Sequence, residues 1–546
     1  MSLRQVIPAA LAGIAVLAVV VGSFVASERF IYYWDFSGYW LATIQLGELL
    51  GDPSAALELL VESVRHEKYN LLAAVPLAPL SRVFDYDRTA WVLVVLAVYG
   101  LPAVIALAMV SLRMADAARV RWAPLVAVAT VVLLPALWAP LLRGSIGIGG
   151  VWLAVVVWLV SPFPVREMSI RRAVGIGAML AGLILFRRWY GFWVLCWVLA
   201  LGIEAMIARG AWRDRLSGLR KVAVQAASAG VLLLLIATPI ALQMLTTDPA
   251  ASRAAYRALD FYADGLGRAS NRFGFVPLAF AAAGLAVAWR SPAHRSLARV
   301  MALQTFLILV IFLRAQPFDR HHYYLIAPQI GVLAAVFLVD LARRAGEAVL
   351  PRVGLAAGLA VLALGSVLAF GAPVGQGLSD PWGVLATPRY QPQVRYDLPE
   401  IVRLSRTLEA LADEPKDKIY VLSSYWLLNE DILKNAHLTT EAPNIAAHVE
   451  LSAHLDRKER FPTRLLTADY AVVTDPPRVH VRAEEQDVIL VPAAQILAGT
   501  GIGRSFQRLP GEFTLQDGTT VSIYERTGPV RSMAKRRLRE RLERDL

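Results

Sequence analysis

Apolar residues fill stretches long enough to cross a bilayer, and most charged residues fall in the segments between them. The first run, Ile7 to Val25, reaches across a membrane at about 1.5 Å per helical residue. Further spans are predicted near 89–110, 123–141, 150–161, 173–186, 192–207, 222–245, 274–289, 300–313, 323–340 and 353–371, about eleven in all. Two long polar loops interrupt them, 27–88 and 246–273. The first has a helical pattern through Leu57, Leu60 and Val64. It continues into Leu71 to Phe84, which is apolar but short and broken by Pro76 and Pro79, so it reads as an interfacial or re-entrant helix. From about Gly371 the pattern changes to that of a soluble α/β domain, 372–546. Leu398 to Leu411 has helical periodicity, while Lys418 to Ser424 and Ala468 to Thr474 read as buried strands. Phe513 to Tyr524 around Asp517-Gly518 reads as a hairpin, and Arg531 to Leu546 as a charged surface or lipid-facing helix. The expected fold class is an all-α polytopic membrane domain, 1–371, followed by this α/β domain.

Composition agrees: 57% of residues are hydrophobic, 18% are charged, and mean hydropathy is +0.51. A net charge of +12 would suggest nucleic acid in a soluble chain. Here most Lys and Arg fall in short loops, where they set topology, so no nucleic-acid partner is expected. With Met1–Arg4 cytoplasmic, the Arg-rich short loops face the cytoplasm. Both long loops and the C-terminal domain then lie outside, giving a multi-pass inner-membrane protein with an extracytoplasmic, periplasmic domain. Arg187-Arg188, in a tight external turn, is the exception. Ile7 to Val25 is too long for a cleaved signal core, and Cys196 is the only cysteine, so no internal disulfide forms.

The clusters of ionisable residues that need a reason all fall on the outer side. They are Asp35 within Tyr32-Tyr33-Trp34-Asp35-Phe36, then His66-Glu67-Lys68, Arg187-Arg188, the mixed loop 246–273, and Arg320-His321-His322-Tyr323-Tyr324. Charges at the membrane boundary are expensive and tend to mark function. Asp35 either caps a helix end or serves as a general base; Arg187 and Arg188 either snorkel to lipid headgroups or bind an anion. His321-His322 are surface residues or, less readily, a metal pair, because adjacent histidines diverge on a helix. One carboxylate facing several cations suits an anionic substrate borne by the membrane, such as a lipid-linked phosphate sugar.

In order and spacing, residues 1–371 resemble the multispanning GT-C glycosyltransferases that use lipid-phosphate sugars. The nearest resemblance is to bacterial relatives of protein O-mannosyltransferase and of the lipid A aminoarabinose transferase. Tyr33-Trp34-Asp35 stands where the family has its first-loop acid, and Glu67-Lys68 is similar to a Glu-Lys-Pro motif with Tyr69 replacing proline. Arg187 to Gly191 takes the place of a Thr-Lys-Gly turn, and His322-Tyr323-Tyr324-Leu325 with Pro328 looks like a Tyr-Tyr-Leu-Leu-Pro segment. The resemblance implies Asp35 as catalytic base and Lys68, Arg187, Arg188 and Arg320 as donor-phosphate ligands. His66, Glu67, His321, His322, Tyr323 and Tyr324 would support them. Two departures stand out: Phe36 replaces a second acid after Asp35, and Arg143 to Gly150 lacks the acid common in the loop after the third span. The second argues against a divalent metal bridged by two acids, and no cofactor is assigned.

The expected activity is inverting transfer of a hexosyl or pentosyl group. The donor would be a polyprenyl-phosphate-linked sugar, and the acceptor a lipid, polysaccharide or protein on the outer face. Membrane lipids are the remaining partners. A transporter or flippase of a lipid-linked sugar would use the same cations without bond making, but the paired interrupted halves of such proteins are not evident. A membrane scaffold would explain the external domain but not the charges at the boundary.

Overall fold

The computed structural model describes all residues except 1–2, 68, 118–119, 209, 247–260, 317, 319–320, 371–389 and 545–546. The described chain forms two compact units, one of Met1–Ser27, Asp35–Thr247 and Ala258–Pro392, the other including Glu28–Trp34 and Gln393–Leu546.

The first unit is helical. Each predicted apolar run coincides with a helix or a broken pair of helices. Among the described residues six are long and apolar enough to cross a membrane: Leu3–Ala26, Arg88–Met114, Tyr190–Ile207, Trp212–Met244, Arg295–Ala315 and Val349–Phe370. Two bent pairs raise the number to eight, Ala123–Val132 with Pro135–Leu142 (47°) and Gly265–Phe273 with Phe275–Arg290 (90°). Ile148–Val160 and Ile170–Phe186 are shorter, and Ala327–Arg344 ends in paired arginines. Of the loop expected over 246–273, residues 247–260 lie outside the described residues, while Phe261–Phe273 is a helix.

The first long loop is built by local chemistry. Helix Gly38–Glu48 is held through its tryptophan and threonine: Trp40 Nε1 donates to the Tyr86 carbonyl (2.8 Å), and Trp91 Nε1 to Thr43 Oγ1 (3.0 Å). Helix Pro53–His66 starts where Asp52 accepts from the amides of Ser54 (3.1 Å) and Ala55 (3.0 Å), with proline at its first position. Leu71 to Phe84 yields only a 3-10 turn, Leu71–Ala74, and a short helix, Ala78–Arg82, as its prolines dictate.

The second unit is a small α/β domain. Strands β1 (Ile419–Leu422), β2 (Tyr470–Asp475), β3 (Phe506–Arg508), β4 (Phe513–Thr514) and β5 (Thr520–Arg526) form one sheet in the order β1-β2-β5-β3, with β4 also on β5. β1 and β2 run parallel, with Tyr420 opposite Ala471; the other pairs are antiparallel, with Val472 opposite Ile523. β4, β5 and the turn at Gly518 (φ 83°) make the predicted hairpin. Helix Leu398–Leu411 buries Ile401, Leu404 and Leu408 at helical spacing. The tail is not wholly a surface element. Helix Ser532–Glu543 buries Leu538 and Leu542 in the core cluster of this domain, four residues apart on one face, and turns its arginines outward. Glu28–Trp34 joins this unit by backbone pairing: Arg29 N donates to the Gln393 carbonyl (2.9 Å), and Arg395 N to that of Arg29 (2.8 Å). Asn435 Nδ2 donates to the Tyr32 carbonyl (2.8 Å), and Trp34 N to Asp431 Oδ2 (2.9 Å).

Candidate active site

Asp35 sits in the 3-10 turn Trp34–Phe36, just before helix Gly38–Glu48. It caps neither neighbouring helix: the first ends at Ala26, and the N-cap of the next is Ser37. Its carboxylate faces other side chains of the first unit instead. Tyr69 Oη donates to Oδ1 (2.5 Å), an Arg187 Nη2 stands 4.0 Å from the same oxygen, and His321 Nδ1 lies 3.6 Å from Oδ2. The Asp35 side chain keeps 34% of its surface exposed, so it is open to solvent.

Arg187 is the most constrained cation of the group. Its side chain is 3% exposed, with its guanidinium 5.3 Å from the Tyr39 ring, 5.6 Å from Trp189 and 5.9 Å from Tyr69. Nη1 donates to Ser145 Oγ (2.9 Å), while its buried Nε has no hydrogen-bond partner among the described residues. A buried guanidinium with an unused N–H and a carboxylate only at the limit of ion pairing retains capacity for an anion. Arg188, half-buried, lies 5.9 Å from the Tyr69 ring. Both arginines are set by the turn that breaks helix Ile170–Phe186 and starts helix Tyr190–Ile207.

The acid-free loop 143–150 has a structural task. Ser145 anchors Arg187, Gly144 adopts φ 83°, and a Cβ there would fall 2.3 Å from Arg88 Nη2 and 2.8 Å from the Phe36 carbonyl oxygen. At Gly150 a Cβ would stand 1.9 Å from the Tyr190 ring, whose hydroxyl donates to the Gly147 carbonyl (2.6 Å). The glycines therefore admit the residues that carry the arginine turn.

Of the remaining predicted residues, His321 stays beside Asp35 and the others are dispersed. His321 and His322 pack edge-on at 4.1 Å beside Trp189, and Gln316 Nε2 is 3.3 Å from His322 Nε2. Tyr323 is buried against Phe318, with Arg272 5.2 Å from its ring, and Tyr324 Oη donates to the Leu137 carbonyl (2.9 Å). Tyr323 and Tyr324 thus take packing positions. His66 is not drawn to Asp35; it is exposed and lies 3.8 Å from Glu62. Glu67 accepts from the Ser63 hydroxyl and closes the turn that leads to Tyr69. Lys68 and Arg320 lie outside the described residues. Among the described residues no three His, Cys, Asp or Glu side chains are grouped to hold a metal. The described neighbours of Asp35 are a phenol, an imidazole and a guanidinium, a donor set unsuited to a metal bridged by two acids.

Sequence reasoning missed Tyr69, Ser145 and Arg88. Arg88 is buried, its guanidinium 4.8 Å from the Trp91 ring and 5.2 Å from that of Trp40. The signal for it was an arginine opening a membrane span beside aromatic residues. For Ser145, within a glycine-rich loop, there was none.

The second unit has its own polar cluster beyond the end of β1. His454 Nε2 is 3.0 Å from Glu430 Oε2, His480 Nδ1 is 2.9 Å from Ser424 Oγ, and the Trp34 ring lies 4.6 Å from His480 and 5.7 Å from His454. Burial and the nearby His454 charge push the His480 pKa down to about 4. Burial would lower that of His454 as well, but the Glu430 carboxylate outweighs it and holds the imidazole above its ordinary value.

The class these features define is a polytopic helical membrane protein with a small C-terminal α/β domain and an acid set beside a buried arginine. No family model matches the sequence, and no curated protein is significantly similar to it. Solved structures do share the fold. ArnT from Cupriavidus metallidurans in the apo state aligns over 94% of this chain and 97% of its own, with a TM-score of 0.53 at 13% identity. The same protein bound to undecaprenyl phosphate aligns over the same shares, with a TM-score of 0.50 at 15% identity. ArnT has the GT-C fold, so the resemblance drawn from residues 1–371 holds at the level of fold across nearly the whole chain.

Proposed function

We propose that this protein is an integral membrane glycosyltransferase that moves a sugar from a polyprenyl-phosphate donor to an acceptor hydroxyl on the outer face of the inner membrane. The observation that carries the reading is the pairing of a half-exposed Asp35 with a buried Arg187 that still has an unused N–H. The fold shared with ArnT, whose structure holds undecaprenyl phosphate, supports it.

In this reading Asp35 takes the proton from the acceptor hydroxyl as its oxygen closes on the anomeric carbon. The bond from that carbon to the phosphate oxygen breaks, through a transition state of oxocarbenium character, and the configuration inverts. The electron pair leaves on polyprenyl phosphate, where Arg187 and Arg188 meet the charge, with Lys68 and Arg320 as further ligands. Tyr69 holds one carboxylate oxygen of Asp35 by a hydrogen bond and His321 flanks the other, which orients the base before substrate arrives. The helices that accompany the six to eight clear spans complete a topology of about eleven crossings. The C-terminal domain then lies in the periplasm and helps to position the acceptor.

The test is to extract lipids from membranes of the native host with and without this gene. Accumulation of one polyprenyl-phosphate sugar in its absence, reversed by the wild-type protein and not by Asp35→Asn, is expected. Unchanged lipids would remove the assignment.

A further inference from the structure

Trp34 has an unusual backbone for so bulky a residue. Its φ is 48°, in the left-handed region, where a Cβ crowds the following carbonyl and glycine or asparagine is the ordinary occupant. Such a conformation persists only where its surroundings over-determine it. Asp431 Oδ2 accepts from Trp34 N (2.9 Å), and the indole lies 4.6 Å from the His480 ring and 5.7 Å from that of His454. Two residues earlier the Tyr32 carbonyl accepts from Asn435 Nδ2 (2.8 Å). Asp431 and Asn435 stand four apart on the short helix Glu430–Asn435, so one face of it grips the chain at two points. That helix is itself anchored, because Asn429 accepts from Ile432 N (3.1 Å) and donates to the Tyr425 carbonyl (3.1 Å).

Trp34 is also the residue before Asp35. Relaxing its backbone from the left-handed region to an ordinary one would swing the next peptide, and the Cα–Cβ bond of Asp35 would turn with it. A base works only within a narrow range of positions, so the conformation of Trp34 bears directly on where that carboxylate stands.

We propose that Asp431 is a positioning residue for Asp35: by holding the Trp34 N–H it keeps Trp34 left-handed and so aims the carboxylate of the next residue. This role rests on the reading of Asp35 as the base. Asparagine at 431 would serve nearly as well, because its amide oxygen accepts the same N–H, whereas alanine would not. Glycine at 34 would need no such hold, since it takes positive φ with no Cβ to crowd.

The experiment induces full-length variants, at matched membrane levels, in the native host lacking this gene and measures how fast the accumulated polyprenyl-phosphate sugar clears. Asp431→Ala should slow clearance by about ten- to a hundredfold, the cost of a displaced base. Asp431→Asn should clear near the wild-type rate. In a Trp34→Gly background the same Asp431→Ala change should cost little, because the two positions are coupled. A merely structural role for Asp431 predicts the same loss in both backgrounds. That result would overturn the proposal, as would normal clearance by Asp431→Ala. Hydrogen exchange of residues 29–36 in the purified full-length proteins needs no donor, and it decides the matter where Trp34→Gly fails to fold. Exchange should be faster in Asp431→Ala than in the wild type and Asp431→Asn, and equal exchange in all three would overturn the proposal. If no lipid-linked sugar accumulates in the host lacking the gene, the transferase reading falls, while exchange still decides whether Asp431 holds Trp34.

Discussion

At the scale of single residues, Asp35 is the position to test first. Asparagine there still accepts from Tyr69, so Asp35→Asn should insert and fold, bind donor, and lose transfer by about 10²–10⁴, as expected when a base becomes an amide. Asp35→Glu should fall between, because one methylene shifts the carboxylate by about 1 Å. Labelled-sugar transfer measures both, and near-normal turnover by the asparagine variant would take Asp35 out of the chemistry. Arg188 tests the phosphate site more cleanly than Arg187. It is only half-buried, so Arg188→Ala should keep the fold and weaken undecaprenyl phosphate binding about ten- to a hundredfold, the worth of a charge-assisted contact of roughly 1.5–3 kcal/mol. Unchanged binding would make it a lipid anchor. Arg187→Ala would also empty a space between aromatic rings, which confounds its reading. Asp35, Arg187 and His321 were legible in the sequence because charge at a membrane boundary stands out. Ser145 and Tyr69 were not: a serine among glycines and a tyrosine in a loop carry no periodic signal, and their roles exist only through contacts across the fold.

At the scale of elements, glycine governs how closely the helices behind the arginine turn approach. A methyl at Gly150 would overlap the Tyr190 ring, so Gly150→Ala should lower thermal stability by about 1–3 kcal/mol of overpacking and disturb the turn that carries Arg187. A scan of the purified variant checks this, and an unchanged midpoint would show that the ring moves freely. In the α/β domain, His480 is neutral when folded and has a pKa near 4, below its unfolded value of about 6.5. The unfolded chain thus binds the proton more readily, so this contribution is present above about pH 6.5 and is lost as pH falls toward 4. His454, whose pKa is raised, contributes in the opposite sense, favouring the fold at low pH. Hydrogen exchange of β1 and β2 at pH 7.5 and 5.5 isolates the His480 share: on going to the lower pH, His480→Gln should lose less protection than the wild type, and equal changes in the two proteins would rule it out. The helices and strands themselves were legible because apolar periodicity and turn residues are local. The docking of the tail helix was less so, because two leucines among arginines give only a faint stripe.

At the scale of the whole molecule, the orientation is open to direct test. A reporter active only outside the cytoplasm should be active when fused after Gly371 and silent when fused within 209–221; activity at the second site would invert the topology. The apolar runs could be read along the chain because a bilayer imposes length and composition on each span separately. The company kept by Glu28–Trp34 could not, since Trp34 and its partner Asp431 stand 397 residues apart, and Tyr32 and Asn435 stand 403 apart. That separation has a consequence for biosynthesis. A nascent chain exposes this segment near the start of translation, yet the groups that fix its backbone emerge only after the last membrane helix has been made. The peptide entering Asp35 is therefore set late, and a chain stalled or cut short between Phe370 and Asp431 carries every helix long enough to span but lacks Asp431 and Asn435, the partners that hold Trp34 and Tyr32.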